Sequence, residues 1–243
     1  MGDSAHADSV RAEVLERLRV LVVAGVAVGV VVAGVGSRLA MLLLRVTSPD
    51  RVKGMTSDDG FTIGRVTLGG TYNLLVLGAA FGLIGAAAYR AVTPWLLGPQ
   101  WFRRFTVAAG SGAVVGSMLV HSGGIDFNVL KPTWLAIGLF VGLPALFAAV
   151  MGATVDRVAA SRSWTTRGRR RWMIPGALLV AFPLALVPTV LAAVVLAVWV
   201  PVRRGIADGP SLPVGVGLAV RGLWLAIALA GLFALVGDVD ALT

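Results

Sequence analysis

Cysteine is absent from this 243-residue chain, which excludes disulfides and thiolate metal or redox chemistry. Charge is scarce too: 14% of residues are charged, against about 25% in ordinary soluble domains. Lys53 and Lys131 are the only lysines, and every other strong base is arginine. GC-rich coding produces such a bias, which suggests a bacterial source. Recognisable reaction motifs are missing. There is no His-Glu-x-x-His, Gly-x-Ser-x-Gly, Walker A or Gly-x-Gly-x-x-Gly pattern, so hydrolase, ATPase and dinucleotide readings lose their anchors, and no cofactor or metal is expected.

Apolar residues make up 57% of the chain, and the mean hydropathy is +0.88. They fall in long blocks that need a hydrocarbon solvent rather than one soluble core. The expected fold is an all-α integral membrane protein, a bundle of about six transmembrane helices over residues 20–236. The spans are 20–44, 72–92, 104–121, 134–155, 172–200 and 214–236, each near the ~20 residues that cross ~30 Å of hydrocarbon. No Asp or Glu falls within any of these cores, which disfavours ion-coupled transport through a midplane carboxylate. Pro144, Pro183 and Pro188 remove backbone donors within the fourth and fifth spans, where kinks are expected.

Residues 1–19 form a polar N-terminal segment, and 237–243 a short tail. No small-x-small site follows the first apolar run, so that run is expected to stay as an anchor. Arginine flanks the spans unevenly, chiefly through the loop 156–171, and the positive-inside rule then puts both termini in the cytoplasm of a plasma membrane, expected to be a bacterial inner membrane. Trp95, Trp101, Trp164 and Trp172 mark the expected inner interface; Trp134, Trp199 and Tyr72 mark the outer one. The net charge of +9 is thus topological, and nucleic acid is not an expected partner. The outer segment 45–71 reads as strand, Ser57-Asp58-Asp59-Gly60 turn, strand, a small extracytoplasmic β-hairpin-like cap.

Small residues recur at four-residue spacing: Gly25, Gly29, Ala33 and Ser37; Gly78, Gly82 and Ala86; Ala108, Gly112 and Gly116; Gly138 and Gly142; Gly222, Ala226, Ala230 and Ala234. Such ridges let helix backbones approach closely, either within the chain or in a homo-oligomer. Arg38 and Arg221 are the most embedded charges. They are candidates for an outer polar pocket with Asp58, Asp59 or Asp126, against the plainer reading as lipid-phosphate anchors. His121 and Asp126, across two glycines, could form an acid/base pair. Ser111 has no base on another span and is not an activated nucleophile. Arg167, Arg169, Arg170 and Arg171, flanked by tryptophans, are candidates for anionic lipid or a membrane protein partner.

The residues fit three functional classes. The preferred one is a non-enzymatic scaffold or partner- and lipid-binding membrane component. The alternatives are a small-solute or lipid permease, drawn from the kinked spans, and a membrane-embedded enzyme using His121 and Asp126.

Overall fold

A computed structural model of the chain describes residues 2–49, 54, 67–123, 127, 129–160, 168, 170–207 and 214–242. Among them every regular element is helical. Among the described residues, five helices are long and apolar enough to cross a membrane, namely Ala7–Thr47, Leu68–Trp95, Thr133–Ala159, Pro183–Val202 and Gly217–Leu242. The first is built from α1 (Gly2–Val28), a π-helical stretch (Gly29–Val35) and α2 (Gly36–Thr47). Then come α3 (Leu68–Val92), α4 (Gln100–Leu119), α5 (Thr133–Ala159), α6 (Arg170–Ala181), α7 (Leu186–Ala207) and α8 (Val214–Leu242).

Local chemistry sets several boundaries. The Thr67 side chain accepts the Gly70 N–H at 3.1 Å and caps α3, satisfying one of the orphan donors of the first turn. Pro99 and Pro132 stand at the N-caps of α4 and α5, where a missing N–H costs nothing. Helix α2 runs on to Thr47 and α3 begins at Leu68, so the ends of the expected hairpin segment 45–71 are helical. Its proposed turn, with Asp58 and Asp59, lies outside the described residues.

The first helix is the axis of the bundle. The most apolar window of Ala7–Thr47 is 67% buried, whereas that of Gly217–Leu242 is 6% buried. Val20, Val22, Ala24, Val26 and Val28 pack against Ala79, Leu83, Ala86, Met151 and Val155 in the main core. A second core joins Leu44 to Val120, Phe127, Leu130, Ala136 and Leu235 at the other end.

Glycine sets the central crossing, through a register that four-residue counting misses. A Cβ on Gly25 would lie 2.8 Å from Leu83 Cα, one on Gly78 2.6 Å from Gly29 O, and one on Gly34 2.9 Å from Leu75 Cδ2. The glycines that meet α3 are therefore Gly25, Gly29 and Gly34, the last one residue beyond the expected Ala33. The five-residue step from Gly29 to Gly34 falls inside the π-helical stretch, whose i→i+5 bonding brings residues five apart onto one face. Gly112 and Gly116 meet Val141 of α5. Gly138, Gly142 and Gly222 have nothing within 4 Å of an added Cβ; on α8 it is Gly231 that meets a neighbour, Val114.

The expected fifth span 172–200 is broken. Helix α6 stops at Ala181, a 3-10 turn spans Pro183–Ala185, and α7 resumes at Leu186. Pro183 cannot donate to the preceding turn, and Pro188 falls in the first turn of α7, where it is tolerated. The two legs double back. Arg171 at the start of α6 bonds Glu16, and Arg204 near the end of α7 bonds Glu13, so both feet of the hairpin stand beside the N-terminal part of α1.

This corrects several expectations at once. Trp199, expected at the outer interface, stands with Arg204 at the N-terminal end of the bundle. Arg221 of α8 donates from Nε to Trp95 O at 3.0 Å, which puts it at that same end. Asp238, nearly five turns later, accepts from Ser122 N at 3.0 Å beyond the far end of α4. Helix α8 thus runs parallel to α4, and the N- and C-terminal helix ends lie at opposite ends of the bundle rather than together.

Candidate functional site at the basic end

Glu13 and Glu16 lie one turn apart on α1, ahead of the apolar run that begins at Val20. Spacing of three and four residues places Arg17 and Arg19 on the same face. Arg17 donates to Glu13 Oε1 from Nε at 2.9 Å and Nη2 at 2.6 Å. Arg19 donates from Nη2 to Glu16 Oε1 at 2.6 Å, and a second N–H reaches Val158 O of α5 at 3.1 Å. Arg19 is buried, at 1% exposure. A buried guanidinium needs a charged partner and saturated donors, and the Glu16 carboxylate and the Val158 carbonyl accept from it.

The hairpin completes both pairs from far along the chain. Arg171 Nη2 donates to Glu16 Oε2 at 3.0 Å, while its guanidinium lies 5.4 Å from the Trp172 ring centroid. Arg204 donates to Glu13 Oε2 from Nη2 at 2.5 Å and Nε at 2.9 Å, and to Ser9 Oγ from Nη1 at 2.8 Å. Each carboxylate is therefore clamped between a guanidinium of its own helix and one from a foot of the hairpin. Hydrogen bonds to a carboxylate favour its charged form. The Arg204 bond, supported by Arg17, holds Glu13 below the usual carboxylate range; the Arg19 bond, supported by Arg171, does the same for Glu16.

A third cluster lies nearby. Asp156 near the end of α5 accepts from Gln100 Nε2 at 2.7 Å and from Arg104 Nη2 at 2.5 Å, joining the last turn of α5 to the start of α4. Pooling these helix ends gives a marked asymmetry. Among the residues whose side chains are described, this end carries Arg11, Arg17, Arg19, Arg90, Arg103, Arg104, Arg157, Arg170, Arg171, Arg204 and Arg221 against Asp8, Glu13, Glu16 and Asp156. The other end carries Arg38, Arg45 and Lys131 against Asp238 and Asp240.

The sequence candidates are dispersed. Arg38 and Arg221 do not meet, since they stand at opposite ends. The Arg38 Nε and Nη2 atoms are buried with no hydrogen-bond partner, and Asp58, Asp59 and Asp126 lie outside the described residues. His121 is exposed, its Nδ1 3.1 Å from Leu119 O, and its ring meets Phe127 edge-on at 6.5 Å. Ser111 Oγ donates to Pro144 O at 3.2 Å, tying α4 to the proline turn of α5. Arg167 and Arg169 lie outside the described residues. Arg170 is exposed, and Arg171 donates to Glu16 from Nη2 while its Nε has no hydrogen-bond partner. Among the described residues no three His, Cys, Asp or Glu side chains group as metal ligands would.

The clamp was only half visible beforehand. The pairs Glu13–Arg17 and Glu16–Arg19 are readable from spacing, but their partners stand 191 and 155 residues away. Comparison with known proteins adds no likeness: no family model, no curated protein and no solved structure matches this chain.

Proposed function

We propose that this chain is a non-enzymatic, multi-pass component of a plasma membrane, whose basic end lies at the cytoplasmic leaflet and binds anionic lipid headgroups. In this reading α4, although not among the five most apolar helices, crosses the bilayer with the first helix, α3, α5 and α8, and the α6–α7 hairpin, which contains the apolar Pro183–Val202, enters and leaves from the cytoplasmic side. The N-terminus is then cytoplasmic and the C-terminus external, which revises the expectation for the C-terminal end. A bacterial inner membrane, with its abundant anionic lipid, suits this arrangement.

The charge asymmetry carries the proposal. Arginine at the cytoplasmic boundary is attracted to anionic headgroups by about 1 kcal/mol per residue. Once α6 and α7 fold back and α8 is reversed, Arg204 and Arg221 join that surface, so the positive-inside bias is stronger than linear counting gives. The permease reading has weaker support. Backbones packed glycine to glycine at the α1–α3 crossing leave little room for a path, and two carbonyls at the hairpin turn are engaged, Ala181 O by Tyr72 and the buried Ala185 O by Thr189.

The test is native mass spectrometry of the full-length protein released from micelles doped with equal phosphatidylglycerol and phosphatidylcholine. Preferential retention of phosphatidylglycerol, diminished by salt, is expected. Equal retention of the two lipids refutes the proposal.

A further inference from the structure

Among the described residues Arg38 is the one side chain with two buried nitrogens, Nε and Nη2, that have no hydrogen-bond partner. Arg104 and Arg171 leave only Nε in that state, and each holds a carboxylate from Nη2. Nε and Nη2 share one edge of the guanidinium and direct two parallel N–H bonds the same way, the fork that a carboxylate fills with both its oxygens. Arg38 stands a turn and a half short of Leu44, about 9 Å along the helix, and so inside the expected span 20–44, where an unanswered charge is expensive. No Asp or Glu falls within any expected span. Neither another span of this chain nor one of a second copy therefore supplies a carboxylate at this depth.

Beside Arg38 lies a face that the bundle leaves open. Val20, Val22, Val26 and Val28 of the first helix are buried, but Val31, Val35, Leu39, Leu43 and Val46 are exposed. Spacings of three and four residues set those five on one side, over about 20 Å of helix. Arg38 follows Val35 by three residues and Gly34 by four, so it is a surface neighbour of both. Gly34 meets Leu75 of α3. Arg38 thus stands on the border between the α3 contact and the open face. As a residue it is half-buried, and a change of rotamer brings its fork to that face.

Depth and shape choose the occupant. An arginine that serves lipid phosphates extends to the headgroup plane, whereas this fork is buried against the protein below the level of Leu44. A transmembrane helix lies along the whole open face and brings a side-chain carboxylate to the depth of Arg38. We propose that this face docks one membrane-spanning helix of another protein, whose aspartate or glutamate takes both N–H bonds of the Arg38 fork. The inference stands apart from the lipid-binding reading, which concerns the opposite end of the bundle.

The experiment uses the full-length protein in phosphatidylcholine vesicles, labelled with a donor fluorophore at Ala241→Cys. The probe is an acceptor-labelled leucine–alanine transmembrane peptide of about 24 residues, with one aspartate about 9 Å inside one end of its apolar run. The control peptide has leucine there. Energy transfer is expected to show the wild type binding the aspartate peptide about tenfold more tightly than the leucine peptide, and Arg38→Met reducing that preference to within about twofold. Arg38→Met keeps the apolar stem and removes no hydrogen bond, so the Tm without peptide is expected to stay unchanged.

Equal binding of the two peptides by the wild type overturns the proposal, as does an aspartate preference that survives Arg38→Met. A lowered Tm for Arg38→Met shows the fork satisfied within the chain and also overturns it. Loss of the preference in an equal mixture of phosphatidylglycerol and phosphatidylcholine shows that a lipid phosphate takes the fork, which overturns the helix as occupant.

Discussion

Replacing Gly82 by alanine probes the packing on which the bundle depends. The new Cβ would sit 2.7 Å from Gly29 Cα and collide with Gly25 O. Both obstacles are backbone, so no side chain can swing aside, and the first helix and α3 must part by about 1 Å to restore ordinary contact. A gap of that size forfeits a quarter to a half of each pairwise attraction of about 0.1–0.2 kcal/mol. Over a few tens of atom pairs at the crossing that amounts to about 2 kcal/mol, within the usual cost of overpacking a tight core. Midpoints shift by about 2–4 °C per kcal/mol in chains of this size, so the expected fall in Tm is about 4–8 °C. Gly142→Ala is the matched control, because nothing lies within 4 Å of its Cβ and helix propensity alone predicts no loss. Thermal unfolding in one detergent, followed by tryptophan fluorescence, measures both. Equal shifts for the two variants would falsify the glycine crossing as the determinant of packing.

Two further outcomes follow from the clamp and the hairpin. Glu16→Gln removes the carboxylate shared by Arg19 and Arg171 and is expected to cost about 1–2 kcal/mol at neutral pH, less than for a fully enclosed pair because Glu16 is partly solvent-reachable. Since the folded carboxyl is held below its usual range, the wild type keeps this stabilisation above about pH 4.3 and loses it as pH falls through the lower folded value. A wild-type and variant pair whose Tm profiles run parallel through the acid range would show that the clamp is not formed. The absence of cysteine makes topology directly measurable: Ala12→Cys and Ala241→Cys, both at exposed positions, are expected to react with a membrane-impermeant maleimide from opposite sides, Ala241→Cys in intact cells and Ala12→Cys only after permeabilisation. Labelling of both from one side would contradict the reversed course of α8.

Linear sequence determined the solvent and the secondary structure of this protein. Apolar runs near twenty residues can meet their backbone hydrogen bonds in lipid only as helices, and that constraint is local, so the membrane character of the chain is readable from composition and block length. The pairs Glu13–Arg17 and Glu16–Arg19 are readable for the same reason, because helical pitch alone puts them on one face. What only the tertiary structure decided is the direction of each run. A 29-residue stretch such as 172–200 is long enough to span, and nothing within it says that it will turn at Phe182; the turn is stabilised by Arg171 and Arg204 reaching carboxylates 155 and 191 residues distant. That fold-back reverses α8 and moves Trp199, Arg204 and Arg221 to the basic end, and it separates Arg38 from the partners expected for it. The π-helical step that aligns Gly34 with Gly29 is equally invisible to a fixed helical period, because its i→i+5 bonding departs from the α-helical repeat.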